Sequence, residues 1–410
     1  MTSAARFRPT FTDLRAEIDR RVADQADAAD IVQLIDQFLA AGGAPGGPLV
    51  AYDGSVTWLY RDADAEHVAV VGDVLGYDPE QTRMTRIAGT DLFFFTATLP
   101  LDAQIAYAFM VDNPRPVDAL PAAHEAWLAQ GRLDPTNPAR MTAAHPLRPV
   151  SVLSLASSHE FAPLPEPDDA PVAVLAHVVA SAVLGGSKRI WIALPPGFSA
   201  EIHRYPVIYC LDGEAYMLAG RAVHALETLT NASEIAPAVL VFVESPRFTA
   251  EDRTQIDTFT RFLIEEVVPF VDGHYPTSND PTERIIGGAA ADGAVALSVA
   301  LARPDIFGSV IAQSPSSELL ATDIAVRLAT LIGRGGRLPR CYMDVGRYES
   351  LISLRYAHAL CSGLLTGGAS LSYQEHPGDH GFLGWRATLP DAFRFVLGIS
   401  ALDDRTLGNS

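Results

Sequence analysis

The spacing of apolar residues divides the first part of the chain into a helical stretch and a stretch of strands. Between residues 10 and 41, apolar side chains recur on one helix face, and Gly42 and Gly43 follow. Between residues 49 and 112, short β-branched and aromatic runs alternate with turn residues. These runs predict strands at Ser55–Tyr60, His67–Val71, Leu92–Ala97 and Ile105–Met110. We therefore predict a small β-sandwich preceded by an N-terminal helix.

A different rhythm begins at Val174, where continuous apolar runs alternate with helical patterns. Strands that are apolar throughout are typical of a parallel sheet covered by helices on both faces. The predicted strands are 189–194, 207–211, 238–243, 284–287, 309–312, 340–345 and 371–375. The predicted helices are 219–230, 258–273, 294–302, 354–365 and 389–397. This alternation predicts a doubly wound α/β sheet.

The two patterns are separated by a proline-rich acidic connector at residues 161–169. Such a segment is typical of a domain boundary. We predict an N-terminal domain, residues 1–160, made of the helix and the β-sandwich, and an α/β domain, residues 170–410. A chain of 410 residues is long enough for two separate cores.

Composition narrows the classes of partner. The formal net charge is -19 and the sequence pI is about 4.9, which disfavours nucleic acid and anionic membranes as main partners. No apolar run resembles a signal peptide or a membrane span, so we expect a cytoplasmic protein. The cysteines, Cys210, Cys341 and Cys361, have no metal-site or disulfide spacing and are expected to be reduced core residues.

The most informative motif lies at residues 284–293, where a short apolar strand leads through small residues into a helical pattern. A nucleophile elbow has this form, because its serine sits in strained backbone with small residues two places before and after it. Gly288 occupies the first small position, Ala290 the serine position and Asp292 the second small position. The pattern predicts the scaffold of a nucleophile elbow without the attacking oxygen.

A carboxylate and a histidine follow in the order that α/β hydrolases use. Glu349 lies just after one predicted strand, and His380 lies on the loop after the last one. We assign Glu349 as the acid and His380 as the base; Asp344 lies within its strand and is the weaker acid candidate. The oxyanion hole is expected from the backbone N–H of Ala291 and from that of Gly213 or Glu214.

Several of these residues also have a simpler interpretation. His376 and His380 have the spacing of a metal pair, but Pro377 and Gly378 prevent the helix that would align them, so no metal is expected. A structural role in a turn is favoured for Ser314. An alternative register makes Asp292 an aspartate nucleophile, and it is kept as a minor alternative.

Several further motifs resemble the enterochelin (ferric enterobactin) esterase group within the Putative esterase branch of the α/β hydrolases. They are Trp191–Gly197, Leu211–Gly213, Phe262–Phe270, Arg303–Gly308, Gln313–Ser314, Val345–Glu349 and His380 with Trp385–Arg386. The resemblance implies a serine esterase without a cofactor, whose N-terminal sandwich resembles carbohydrate-binding early-set domains and helps to select the substrate.

Carried onto this chain, the resemblance places the serine on Ala290, the acid on Glu349 and the base on His380. Asp292 and Asp379 replace glycines of the family pattern and bring acidic side chains to the site. If the ester is anionic, as ferric enterobactin is, Arg247, Arg347 and Arg386 are the expected arginines. Trp385 is expected to line the pocket, with core packing as the alternative.

The leading functional interpretation is a carboxylic ester hydrolase that acts through a Ser-His-Glu triad and an acyl-enzyme. Its expected substrate is a small siderophore-like, depsipeptide or other natural-product ester. We interpret Ala290 as an engineered replacement of the serine. The alternatives are a natural pseudoenzyme that binds an ester without cleaving it, and an acyltransferase or macrocycle-processing enzyme.

Overall fold

The structure is a computed structural model that describes residues 10–41, 47–75, 78–112, 130–143, 148–155, 174–201, 204–246, 253–315 and 317–398. The chain divides into two compact units, Met1–Glu160 and Phe161–Ser410. The connector at residues 161–169 lies outside the described residues. Within the described ranges, no helix combines the length and the apolar character needed to cross a membrane.

The first unit begins with two helices where the sequence predicted one. Helix α1 is Phe11–Ala23 and helix α2 is Ala28–Ala41. Thr10 caps α1 in a capping box, since its hydroxyl accepts from the Asp13 N–H at 3.2 Å. The chain leaves α1 through Gln25, whose φ of 56° cannot continue a right-handed helix. The apolar spacing continues across this break, so the sequence predicted a single helix.

The rest of the first unit is the expected β-sandwich. Its strands are β1 Leu49–Val50, β2 Ser55–Arg61, β3 Val68–Val71, β4 Thr85–Arg86, β5 Leu92–Thr98, β6 Gln104–Val111, β7 Arg140–Ala143 and β8 Arg148–Ser154. They form one sheet in the order β1-β2-β5-β4 and another in the order β3-β6-β8-β7. The sheets pack through aromatic side chains, with the Tyr60 and Phe109 ring centroids 4.8 Å apart. Strands β1, β4, β7 and β8 were not predicted.

The second unit contains a mixed sheet whose middle is parallel. Its strands are β9 Val174–Ser181, β10 Gly186–Ala193, β11 Val207–Leu211, β12 Val239–Val243, β13 Arg284–Ala289, β14 Ser309–Gln313, β15 Arg340–Gly346 and β16 Leu371–His376. Their order is β16-β15-β14-β13-β11-β12-β10-β9, with β9 and β10 paired antiparallel at one edge. Strand β9 was not predicted, although most of its residues are apolar; most of its side chains are exposed or only half-buried.

Helices connect these strands. They are α3 Gly213–Leu218, α4 Ala222–Asn231, α5 Arg253–Phe262, α6 Val268–His274, α7 Ala290–Ala302, α8 Ser317–Gly333, α9 Leu351–Thr366 and α10 Phe382–Leu397. A π-helical turn, Leu263–Val267, joins α5 to α6 within the predicted helix 258–273. Helix α8 was not predicted, because apolar residues such as Val326 and Ile332 lie exposed while Ile324 is buried.

The parallel strands are buried because helices cover the sheet. Every residue of β11, β12, β13 and β14 is buried. Alternate side chains of these strands, on one face of the sheet, belong to a core cluster that also includes Phe259 and Phe262 of α5 and much of α7. The expected doubly wound α/β sheet is therefore present, and its carboxyl edge is held by packing on both faces.

Candidate functional site

Five neighbouring strands end side by side at the carboxyl edge of the sheet. The parallel pairings join β11 to β13, β13 to β14, β14 to β15 and β15 to β16. The first turns after these strands carry, in the same order, Gly213, Ala290, Ser314, Glu349 and His380. In open α/β sheets, ligands bind at this edge.

The nucleophile elbow is present as backbone geometry. Ala289 ends β13 in an extended conformation, and Ala290 begins α7 with a φ of 51°. This left-handed conformation costs an L-residue about 1–2 kcal/mol. Gly288 is required because a Cβ there would lie 2.4 Å from the carbonyl carbon and oxygen of Asp292. The tight turn therefore presents a methyl group at its tip.

A second turn of the same kind lies on the neighbouring strand. Asp212 has a φ of 51° and precedes Gly213, the first residue of α3. A Cβ on Gly213 would lie 2.6 Å from the backbone of Phe242 and Val243, so only glycine fits. The first N–H groups of a helix lack intrahelical partners and favour negative charge. The backbone N–H groups of Ala291 and of Gly213 or Glu214 lie in these two turns, so they stay the candidate oxyanion donors.

Glu349 and His380 are hydrogen-bonded to each other. His380 Nδ1 lies 2.7 Å from Glu349 Oε2; the Glu349 side chain is 1% exposed and that of His380 is 32% exposed. The other carboxylate oxygen accepts from Gly346 N–H at 2.8 Å and from the Ser314 hydroxyl at 2.5 Å. Burial favours a higher pKa for Glu349, but the charge of His380 and these donors hold its pKa below the ordinary value. Glu349 is therefore ionised and orients the imidazole.

Backbone contacts hold the Glu349 loop against the His380 loop. Arg347 N–H donates to the His376 carbonyl at 2.8 Å, and Tyr348 N–H donates to the Gly378 carbonyl at 3.2 Å. A Cβ on Gly346 would lie 2.5 Å from the Gly378 carbonyl oxygen. The close approach of the two loops thus depends on glycine at position 346.

Asp344, the weaker acid candidate, belongs to a different network. Its carboxylate is fully buried and accepts from Thr388 Oγ1 at 2.6 Å and from Gln313 Nε2 at 2.9 Å. Tyr216 of α3 donates to the other end of the Gln313 amide at 2.8 Å. Burial raises the pKa of Asp344 to about 7 against these donors. Asp344 thus ties β15 to helices α3 and α10.

The remaining predicted residues lie in different environments. Trp385 is buried, donates its indole N–H to Ser314 Oγ at 2.8 Å and packs edge-on against His380 at 5.1 Å. Trp385 therefore packs against two residues of the site, Ser314 and His380. Arg347 is exposed, Arg386 and Asp292 are half-buried, and Arg247 lies outside the described residues. The contact of Ser314 with Glu349 was not predicted, since the sequence favoured a structural role in a turn for Ser314.

His376 at the end of β16 is buried with neither ring nitrogen hydrogen-bonded. A Cβ on Gly384 would lie 2.1 Å from its Cε1, so the ring fills the space of an absent side chain. Burial lowers the pKa of His376 to about 4, so the ring stays neutral near pH 7. Across the described residues, no group of three or more His, Cys, Asp or Glu side chains could hold a metal ion.

Known proteins match both units. A family model described as Putative esterase matches residues 181–396, and one described as Enterochelin esterase, N-terminal matches residues 55–162. The iron(III) enterobactin esterase of Dickeya dadantii is 26% identical over 404 residues, covering 86% of this chain and 90% of that protein. These matches confirm the resemblance inferred from the motifs.

Solved structures show the same fold. The ferric enterobactin esterase of Salmonella typhimurium has a TM-score of 0.72 at 23% identity, covering 90% of this chain and 100% of that one. The enterobactin esterase FES of Shigella flexneri, crystallised in the presence of enterobactin, has a TM-score of 0.67 at 23% identity, covering 88% of this chain and 97% of that one. The expected α/β-hydrolase fold with an N-terminal domain is confirmed.

Replacing Gly346 by alanine should destabilise the protein and separate the two loops, because the new Cβ would lie 2.5 Å from a carbonyl oxygen. We expect a loss of about 1–3 kcal/mol in the free energy of unfolding, measured by urea titration. Gly273→Ala is the control, since a Cβ there meets no atom within 4 Å in helix α6. Equal stabilities of the two variants would contradict this steric account.

His376 should make stability depend on pH in one direction. Its pKa is about 4 in the folded protein and near 6.5 when unfolded, so the unfolded state binds the extra proton between these values. Protonation of His376 therefore costs no stability above pH 6.5. As the pH drops towards 4, it lowers the free energy of unfolding by roughly 3 kcal/mol in total. His376→Asn should flatten this part of the curve, because an asparagine side chain takes up no proton in this range.

Proposed function

We propose, from the premise that this chain belongs to the Putative esterase family, that its carboxyl-edge site recognises a siderophore-type carboxylic ester. In this proposal the site is that of an acyl-enzyme hydrolase, and Ala290 occupies the place of the nucleophile. The iron(III) enterobactin esterase named above is similar over most of both chains, which supports an ester of this class. Depsipeptides and other natural-product esters share the same reacting group.

The observation that carries the proposal is the left-handed backbone of Ala290, whose φ is 51°. Strain of this kind persists where the surrounding structure imposes it, and it clusters at functional sites. An alanine side chain makes no hydrogen bond that could favour this conformation. The elbow geometry is therefore supplied by the packing of β13 and α7, and a serine at position 290 would be presented in the same way.

With serine at position 290, each neighbouring group has a defined task. The Nδ1 bond to Glu349 leaves Nε2 of His380 as the nitrogen that removes the serine proton. The serine oxygen attacks the ester carbon, and the N–H groups of Ala291 and Gly213 stabilise the oxyanion. His380 then protonates the leaving alcohol, and water releases the acid from the acyl-enzyme. No cofactor takes part in this proposal.

With alanine at position 290, the same site would bind the ester without forming the acyl-enzyme. The pocket and the oxyanion donors do not depend on the serine oxygen, so affinity should outlast turnover. This holds whether the alanine is engineered or belongs to a natural pseudoenzyme. The acidic Asp292, at a position where the family pattern has glycine, favours the pseudoenzyme alternative. Acyl transfer to another acceptor would use the same residues.

Substrate selection is assigned to the residues around this centre and to the first unit. Arg347 is exposed next to Glu349, and an anionic ester would be attracted to its guanidinium. The match of residues 55–162 to the enterochelin esterase N-terminal model supports a role of the sandwich in selecting the ester.

Ala290→Ser should give measurable hydrolysis of short p-nitrophenyl esters, because the base, the oxyanion donors and the strained turn are in place. The rate should rise with pH as His380 loses its proton. A covalent acyl adduct, detected by intact-mass spectrometry, should form only in the serine variant. If a folded Ala290→Ser protein hydrolyses no ester, including an enterobactin-type ester, the proposal should be abandoned in favour of a binding protein.

In the Ala290→Ser background, His380→Ala should reduce kcat/KM by about 10³-fold or more, since the base is lost. Glu349→Ala should reduce it less, since the acid orients the imidazole without accepting its proton. Asp344→Asn serves as the matched carboxylate control, because Asp344 is hydrogen-bonded to Thr388 and Gln313 instead of His380. A larger loss in Asp344→Asn than in Glu349→Ala would move the acid role to Asp344.

A further inference from the structure

We propose that Ser314 is a positioning residue that fixes the orientation of the Glu349 carboxylate towards His380. The inference rests on the acid and base roles proposed for that pair. Ser314 follows β14, between the strands that lead to Ala290 and to Glu349, and it is 2% exposed. Its hydroxyl lies 2.5 Å from Glu349 Oε1.

The direction of each hydrogen bond around Ser314 follows from the chemistry of its partners. The indole N–H of Trp385 is only a donor, so Ser314 Oγ accepts from it at 2.8 Å. An ionised carboxylate is only an acceptor, so the single hydroxyl proton of Ser314 must point to Glu349. Trp385 thereby orients the Ser314 hydroxyl, and Ser314 orients the carboxylate.

The contacts close into a ring of four side chains. Ser314 donates to one oxygen of Glu349, and the other oxygen accepts from His380 Nδ1 at 2.7 Å. His380 in turn packs edge-on against Trp385, with ring centroids 5.1 Å apart. Rotation of the carboxylate would break contacts on both of its oxygens. A rotation of the imidazole would also break its contact with Trp385.

The backbone of Ser314 is held in a conformation that serine does not favour. Its φ is 42°, and its N–H donates to the Asp344 carbonyl at 2.9 Å and to the Asp344 carboxylate at 3.3 Å. Asn and Gly adopt positive φ at lower cost than serine. A serine at this position is therefore better explained by its hydroxyl than by the turn.

If the Ser314 hydroxyl is removed, Glu349 Oε1 keeps the hydrogen bond from the Gly346 N–H. Burial has the largest effect on the pKa of Glu349 and raises it. His380 lowers this pKa, and the hydrogen bond from Ser314 lowers it further. The carboxylate would then hold a proton more readily and orient the imidazole less well.

The first test uses the protein as it stands and needs no turnover. The downfield proton resonance of the His380 Nδ1–H, assigned by its loss in His380→Gln, is followed in Ser314→Ala and Ser314→Gly. The proposal expects this resonance to broaden or move upfield in both variants. Ser309→Ala is the matched control, because this buried serine lies at the other end of β14 and donates to the Thr282 carbonyl at 3.1 Å.

Ser314→Gly separates positioning from folding. Glycine accepts a positive φ without strain, so this variant should unfold at no lower urea concentration than Ser314→Ala. Its resonance should nevertheless broaden or move upfield. Trp385→Phe, which removes the indole donor and part of the ring contact with His380, should shift the resonance in the same direction.

A second test measures kinetics in the Ala290→Ser background. Ser314→Gly should lower kcat by about tenfold to a hundredfold with KM unchanged, because a hydrogen bond to a charged group is lost away from the ester. If the resonance in Ser314→Gly and Ser314→Ala matches that in Ser309→Ala, the proposal is wrong, whatever the kinetics show. If Ala290→Ser is inactive while the resonance responds as expected, the proposed hydrolysis fails and the role of Ser314 stands.

Discussion

Glu349 carries a charge that is almost completely removed from water, and such a charge is tolerated only when both carboxylate oxygens are hydrogen-bonded. Its partners come from three separate segments: the Gly346 N–H, the Ser314 hydroxyl and the His380 imidazole. These contacts require β14, β15 and the loop after β16 to stay together. The close approach of that loop to β15 depends in turn on Gly346. The geometry of the candidate site is thus a consequence of burying one carboxylate.

Backbone strain marks the same edge of the sheet. Asp212, Ala290 and Ser314 follow β11, β13 and β14, and each has a left-handed φ although none is glycine. Glycines at positions 213 and 288 allow the neighbouring backbone to approach these turns closely. Since these features do not involve the side chain at position 290, the scaffold is preserved with alanine there.

Much of the architecture could be predicted from periodicity, because buried parallel strands must be apolar throughout. Some elements were nevertheless missed. Strand β9 is an edge strand with exposed side chains, and helix α8 has apolar residues on both its buried and its exposed faces. The break between α1 and α2 depends on a single left-handed residue, Gln25, which the continuous apolar spacing did not reveal. Local turn geometry of this kind leaves little trace in hydrophobic periodicity.

Within the site, the order of the parts could be predicted from the residues alone: an elbow at Ala290, a carboxylate at Glu349 and a histidine at His380. Chain order could determine this because parallel strands all end at one edge. The sequence favoured Glu349 over Asp344, which lies five residues earlier on β15, and the contact of Glu349 with His380 is visible only in the folded structure. The folded structure also assigned Ser314 and Trp385 to the support of Glu349. Hydrogen bonds between side chains 35 and 71 residues apart depend on how the strands and helices pack, and no local pattern of residues records them.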